Sequence, residues 1–110
     1  MRVYDVATEF TPYPFGRYAA HGSYNGERFR TEILLPILRG GERVVVDLSN
    51  TRGAAASFLE EAFGGLLRSG LTIAQIRALL EIRSDKDPSL ITEIETYMSQ
   101  QALRDEGAPH

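Results

Sequence analysis

The sequence predicts one α/β domain in which helices cover a mixed sheet of about four strands. The length of 110 residues suits a single domain and leaves no room for a second. Hydrophobic residues make up 43% of the chain and charged residues 25%, which is typical of a soluble globular protein. Short β-branched segments alternate along the chain with amphipathic segments of helical period. Residues 1–104 are therefore predicted to form the domain, and residues 105–110 a disordered C-terminal tail.

The first part of the chain predicts two strands and a helix. Residues 2–10 mix β-branched and aromatic residues with polar ones until two prolines end the pattern, which predicts the first strand. A short second strand is predicted at residues 17–20. Apolar side chains then recur every four positions over residues 26–38, which indicates an amphipathic helix. Because Pro36 cannot donate a hydrogen bond to the carbonyl of Glu32, a kink or an early end is expected there.

A central strand and a longer helix are predicted next. Residues 43–48 form a β-branched run that suits a strand covered on both faces. The following helix is predicted to open at Ser57, because Ser57 and Glu60 have the spacing of a capping box. Gly64 and Gly65 are unfavourable in a helix interior, so the sheet or another chain is expected to approach their backbone closely. The residues predicted to face outward are Glu60, Glu61 and Arg68.

The last part of the chain predicts a helix, a strand and a final helix. Residues 72–75 repeat the capping-box spacing and begin a short helix that runs to about Leu79. Residues 80–84 alternate apolar and charged side chains, which indicates a strand exposed on one side. Asp87 is a suitable N-cap for the final helix, since Pro88 follows it at the first helical position.

Composition excludes several classes of protein. The absence of cysteine excludes disulfides, a zinc ribbon and a thiol nucleophile. A net charge of -3, with the arginines dispersed among acidic residues, argues against a nucleic-acid partner. No apolar stretch approaches the roughly 20 residues of a membrane helix, and the first ten residues lack a signal-peptide pattern, so we expect a cytoplasmic protein. The histidines, His21 and His110, have no second ligand at helical spacing, so neither a metal site nor a cofactor is expected.

Ser57 is the first candidate functional residue. It is interpreted either as an ordinary N-cap that accepts the N–H of Glu60, or as a phosphoacceptor. A helix N-terminus favours a phosphate through its dipole and its free N–H groups, and Arg52 could add a positive charge. Glu60 and Glu61 would repel the phosphate, so modification is expected to loosen the cap or eject a partner.

Asp47 and a glycine-rich segment are the other candidates. Asp47 ends the predicted central strand, at the edge where open α/β sheets usually bind ligands. Its carboxylate either accepts the N–H of Ser49 or Asn50 in a turn, or contributes to a site. The segment from Gly16 to Gly26 could wrap an anion or a partner loop. Its polar side chains are Arg17, His21, Ser23 and Asn25. No two candidate catalytic groups share a motif, so an enzyme is not predicted.

Several stretches of the chain resemble a known family. They are FTPYPFGRY at 10–18, ERFR at 27–30, ILLPIL at 33–38, SFLEEAFGGLL at 57–67 and DPSLI at 87–91. On these stretches the chain resembles the bacterial STAS-like family of unknown function, over about its first nine-tenths. Residues 44–67 also resemble the STAS domains of anti-anti-sigma factors, in which a strand ending in D-L-S leads to a serine at a helix start. The resemblance implies a protein-binding switch and a cognate serine kinase of the histidine-kinase-type ATPase class.

The function predicted from these observations is that of a non-enzymatic regulatory domain. It binds a partner protein, with phosphorylation of Ser57 by a histidine-kinase-type ATPase as the switch. The predicted partner-binding residues are Asp47, Ser49, Asn50, Arg52, Glu60, Glu61, Gly64 and Gly65. The alternative is a sensor of a small ligand or nucleotide, which would use the Gly16–Gly26 loop and the strand end at Asp47. The oligomeric state stays open.

Overall fold

The computed structural model describes residues 1–107, in which three parallel strands form one sheet. The strands are β1 (Arg2–Asp5), β2 (Val44–Asp47) and β3 (Leu80–Arg83). Their order is β1-β2-β3, and Tyr4, Val46 and Ile82 lie side by side in register. The predicted α/β class is confirmed, whereas the predicted four-stranded mixed sheet is wrong.

Local backbone features explain the missing strand and the short first strand. The predicted strand at residues 17–20 is replaced by a 3₁₀ turn, Ala19–His21, between two glycines with positive φ, Gly16 at 82° and Gly22 at 144°. Such conformations do not continue an extended strand. Asp5 ends β1 because its carboxylate accepts the N–H of Ala7 at 3.2 Å and caps a short helix.

Five helices accompany the sheet in the described part of the chain. The first, α1 (Val6–Glu9), follows β1 directly. Helix α2 spans residues 26–39 and α3 spans residues 56–68, and each has a π-helical centre. These centres are Phe29–Leu34 in α2 and Glu60–Gly64 in α3. The remaining helices are α4 (Ile73–Leu79) and α5 (Ser89–Gly107).

The π-helical centre of α2 accounts for how the helix tolerates Pro36. The N–H of Leu35 donates to the carbonyl of Arg30, five residues back, so the turn before the proline is wider than an α-helical turn. The expected early end is therefore wrong, and the helix continues to Arg39. The chain then turns at Gly41, whose φ is 75°.

Two of the three predicted helix starts are confirmed. The Thr72 hydroxyl accepts the N–H of Gln75 at 3.1 Å, and the Gln75 side chain accepts the N–H of Thr72 at 2.8 Å. The Asp87 carboxylate accepts the N–H of Ser89 at 3.2 Å. The prediction that Ser57 is an N-cap is wrong, because α3 begins at Ala56 and its N-cap is Ala55, two residues before Ser57.

The hydrophobic core lies between one face of the sheet and the helices. Tyr4, Val44 and Val46 supply the sheet side, and three fully buried phenylalanines, Phe29, Phe58 and Phe63, supply much of the helix side. On the other sheet face Val45 is buried, but its neighbours in register, Val3 and Glu81, are exposed. The central position of residues 43–48 is therefore confirmed, and the helical cover is heavier on one face.

The C-terminal helix passes through part of the predicted tail. Helix α5 continues to Gly107, so residues 105–107 are helical, while residues 108–110, including His110, lie outside the described residues. Within residues 1–107, no helix combines the length and the apolar character needed to cross a bilayer.

Candidate functional site at the start of helix α3

Two loops meet in front of the start of α3 and form two adjoining clefts. The loop after α1 and the loop after β2 are joined by backbone hydrogen bonds from Arg52 to Pro12 and from Ala55 to Pro14, both 2.9 Å. The first cleft, of about 490 Å³, is lined by Phe15, Gly16, Arg17, His21, Ala55 and Ser57. The second is lined by Tyr13, Pro14, Phe15, Arg52, Gly53, Ala54 and Ala55. Phe15 and Ala55 belong to both.

Ser57 is the second residue of α3 and lies half-buried in the first cleft. The N-cap residue Ala55 has an extended backbone and no side-chain oxygen, so no side-chain cap bond is made. The first N–H groups of α3 therefore have no side-chain acceptor at the cap, although they carry the positive end of the helix dipole. Ser57 belongs to this first turn and lines the cleft.

His21 lies in the same cleft and holds the preceding turn. Its Nδ1 atom accepts the N–H of Arg17 and the N–H of Tyr18, both at 3.2 Å. Gly16 is required at the turn, since a Cβ there would lie 2.6 Å from the His21 Cβ. Because Nδ1 is an acceptor, the neutral ring carries its proton on Nε2.

A buried network of ion pairs lies behind the cleft, between the π-helical centres of α2 and α3. Arg30 Nη1 donates to the Glu61 carboxylate at 2.6 Å and to the Glu61 carbonyl at 2.5 Å. The two side chains are only 11% and 6% exposed. Arg30 Nε is buried with no hydrogen-bond partner in the described residues. The prediction that Glu61 faces outward is wrong, because Arg30 reaches across from α2 as its counter-ion.

Glu60 joins the network to the cleft. Its carboxylate accepts from Arg17 at 2.6 Å and from Arg68 at 2.8 and 3.1 Å. The hydrogen bonds from Arg68, with a further contribution from Arg17, lower the pKa of Glu60 from 4.5 to about 2, although burial acts in the opposite direction. Arg68 also donates to Gln101 of α5 at 2.8 Å. The three arginines therefore neutralise both glutamates.

Glycines make room for this network. A Cβ on Gly65 would overlap Arg30 Nη1 and lie 2.9 Å from its Cζ, and a Cβ on Gly64 would lie 2.5 Å from Glu60 Oε2. Gly26 of α2 is equally tight, since a Cβ there would lie 2.7 Å from the Phe58 carbonyl. The expected close approach is thus made by side chains of the same chain. Gly64 and Gly65 are buried in the chain.

The residues predicted at the strand end have local structural roles. Asp47 accepts the N–H of Ser49 at 2.9 Å, which is the turn interpretation of that residue. The buried Ser49 hydroxyl accepts the N–H of Asp85 at 2.9 Å, and Asn50 donates to Asp5 at 3.2 Å. Neither cleft at the start of α3 includes Asp47.

Only two of the four polar side chains that were predicted to form a site in the glycine-rich loop line the cleft. Arg17 and His21 line the cleft, whereas Asn25 is buried and accepts the N–H of Arg28 at 2.8 Å as the cap of α2. The carbonyl of the exposed Ser23 accepts from Arg28 at 2.9 Å. In residues 1–107, no cluster of three or more histidine, aspartate and glutamate side chains could hold a metal ion.

Three exposed aromatic side chains between residues 13 and 18 were not singled out from the sequence, and two of them, Tyr13 and Phe15, line the clefts. Tyr13, Phe15 and Tyr18 are 50%, 54% and 45% exposed. Arg52 lies over the Tyr13 ring and donates to its hydroxyl at 2.7 Å, and Tyr18 lies beside the His21 ring. A sequence signal was present, because neither residues 10–26 nor residues 48–59 contain an aspartate or glutamate.

A family model described as "STAS-like domain of unknown function (DUF4325)" matches residues 25–90. The matched range includes α2, β2, α3, α4 and β3, and therefore the whole ion-pair network except Arg17 and Gln101. Residues 10–18, which carry part of the resemblance noted above, lie outside it. No curated protein and no solved structure matched the chain.

Proposed function

Because the chain belongs to the family of STAS-like domains of unknown function, we propose that it is a cytoplasmic, non-enzymatic regulatory domain that binds a partner protein. The binding site comprises the two clefts at the start of α3. Phosphorylation of Ser57 by a histidine-kinase-type ATPase switches the affinity. The observation that carries this proposal is the position of Ser57, which lines an open cleft at a helix start that has no side-chain cap.

The local charges favour a phosphate at Ser57. The free N–H groups and the helix dipole stabilise a dianion at the first turn of α3. The glutamates expected to repel it are neutralised, since Glu60 is paired with Arg17 and Arg68, and Glu61 with Arg30. Arg17 lines the same cleft and adds positive charge beside it, while its guanidinium stays paired with Glu60. Phosphorylation of Ser57 is therefore proposed to act by changing the charge of the surface and not by loosening the helix cap.

Two experiments test the switch. Intact-mass and peptide mass spectrometry of protein purified from its native cells should find phosphate on Ser57, and Ser57→Ala should remove it. The partner recovered with the wild-type chain should bind Ser57→Asp at a different affinity from Ser57→Asn, which has the same shape without the charge. Unmodified Ser57 together with equal affinities of the two variants would refute the switch.

The alternative function, a sensor of a small anionic ligand, would use the same first cleft, which Arg17 and His21 line. Asp47 takes no part in it. A thermal-shift series with nucleotides and inorganic phosphate distinguishes the two functions, because a ligand at 100 times its Kd adds about 2.7 kcal/mol of stability. A shift that Arg17→Gln abolishes would favour the sensor.

A further inference from the structure

We propose that the clefts at the start of α3 bind an acidic segment of a partner protein; the inference rests on the partner-binding function and names the chemistry of the partner. The surface concerned, the acid-free face, consists of residues 13–21 and 52–57. These ranges contain Arg17, Arg52 and His21, and no aspartate or glutamate. All 15 acidic residues of the chain lie outside these two ranges, and the protein as a whole has a net charge of -3.

The loops that form this face are fixed before binding. Two backbone hydrogen bonds join them, and Gly26 and Glu27 donate to the carbonyls of Gly16 and Arg17 at 2.9 Å. His21 closes the intervening turn from inside. A preorganised surface loses little conformational entropy when a partner binds. Tyr13, Phe15 and Tyr18 therefore present exposed rings in fixed positions.

The composition of the face matches a protein interface. Tyrosine, phenylalanine and arginine are enriched where protein partners bind, and such residues provide most of the binding energy. Arg52 takes no part in the salt bridges of residues 1–107, and a cation–π contact with Tyr13 holds its guanidinium at the surface. A carboxylate of the partner is the complement of that guanidinium. Arg17 is already bonded to Glu60, so the face offers too few free cations for a phosphate backbone.

A phosphate on Ser57 would oppose the binding of an acidic partner. Ser57 lies within the face, and a phosphate there would add a charge of about -1.5 to -2 at neutral pH. That charge would repel the partner's carboxylates. Phosphorylation is therefore expected to release the partner, and Ser57→Glu should weaken binding in the same way.

The test is a selection of random 16-residue peptides, displayed on phage, against the immobilised full chain. Enriched peptides are expected to be net negative and to bind more weakly as salt concentration rises. Phe15→Ala and Arg52→Glu should each weaken the best peptide about 10-fold or more. The matched controls are Leu103→Ala, on an exposed leucine of α5, and Arg43→Glu, at the opposite end of β2; both should bind as the wild type does. Circular dichroism verifies that every variant is folded.

Several results would overturn the proposal. They are neutral or basic peptides, binding that the face variants do not change, no enriched peptide at all, and tight binding of an oligothymidylate to the face. The last would identify the surface as a nucleic-acid site. The two proposals fail separately: peptide binding that is acidic and face-dependent but unaffected by Ser57→Glu removes only the serine switch. If Ser57 is phosphorylated but substitutions of Phe15 and Arg52 do not change partner binding, only the proposal for the acid-free face is refuted.

Discussion

Substitution of Glu61 by alanine tests the buried ion-pair network directly. The substitution leaves the Arg30 guanidinium, whose side chain is 11% exposed, bonded to a backbone carbonyl but without its carboxylate. Removing one partner of a buried pair costs about 3–5 kcal/mol, because the remaining charge stays desolvated. With an unfolding entropy of about 2.1 cal/mol/K per residue, that loss lowers the Tm of a chain of this length by about 13–22 °C. Urea and thermal unfolding followed by circular dichroism measure both quantities.

Two further variants make the test of Glu61 specific. Glu95→Ala removes the carboxylate of an exposed pair with Arg77, whose side chains are 46% and 54% exposed, and should cost at most about 1 kcal/mol. Arg30→Met combined with Glu61→Leu removes both buried charges and should recover most of the loss, since apolar replacements of a buried pair are often neutral or stabilising. If Glu61→Ala lowers the free energy of unfolding no more than Glu95→Ala does, Arg30 is solvated and the predicted cost of an unpaired buried charge is refuted.

Three further predictions concern acid stability, a glycine and the helix cap. The folded pKa of Glu60 is about 2 against 4.5 in the unfolded chain, so the stability that Glu60 confers is complete above pH 4.5 and is lost as the pH falls towards 2. Urea unfolding between pH 2 and 6 should show that the free energy of unfolding of Glu60→Gln depends less steeply on pH than that of the wild type. An equal pH dependence would contradict the pairing of Glu60 with the arginines. Gly65→Ala should destabilise the protein, although the same change usually stabilises a helix by about 1 kcal/mol, because Arg30 occupies the space; Arg30→Met should restore the usual sign. Thermal unfolding measures both variants, and a higher Tm for Gly65→Ala alone would show that Arg30 moves aside freely. Ala55→Asp should cap α3 and raise stability by about 0.5–2 kcal/mol while weakening acidic peptides, and an unchanged Tm would mean that the end of α3 is already satisfied.

The sequence predicted all three observed strands and helices α2 to α5 because these depend on local signals, whereas α1 lies in residues that were predicted as strand. Residues 72–75 have the capping box that the structure contains, and Asp87 caps the last helix as expected. The missing strand at residues 17–20 has a different origin, since its tyrosine and arginine favour β-structure while the flanking glycines take positive φ. That conformation depends on contacts with His21 and with α2, which no local pattern contains.

The site was predicted less completely, for a physical reason. Ser57, Arg17 and His21 were identified from the sequence one at a time, but their common cleft results from two loops that pair through Pro12 and Pro14. The orientation of Glu61 was misjudged because a pattern with 3.6 residues per turn does not describe a π-helical segment, which changes the phase of the side chains that follow. Its counter-ion lies 31 positions away in the chain.

The contact between Arg30, Glu61 and Gly65 constrains how the sequence of this protein can diverge. A larger residue at position 65 displaces the Arg30 guanidinium. Loss of either Arg30 or Glu61 leaves the other charge buried without its partner. Any path of single substitutions through these positions therefore crosses a poorly folded intermediate. Homologous chains are expected to inherit the three residues as a set, or to exchange them together for an apolar set.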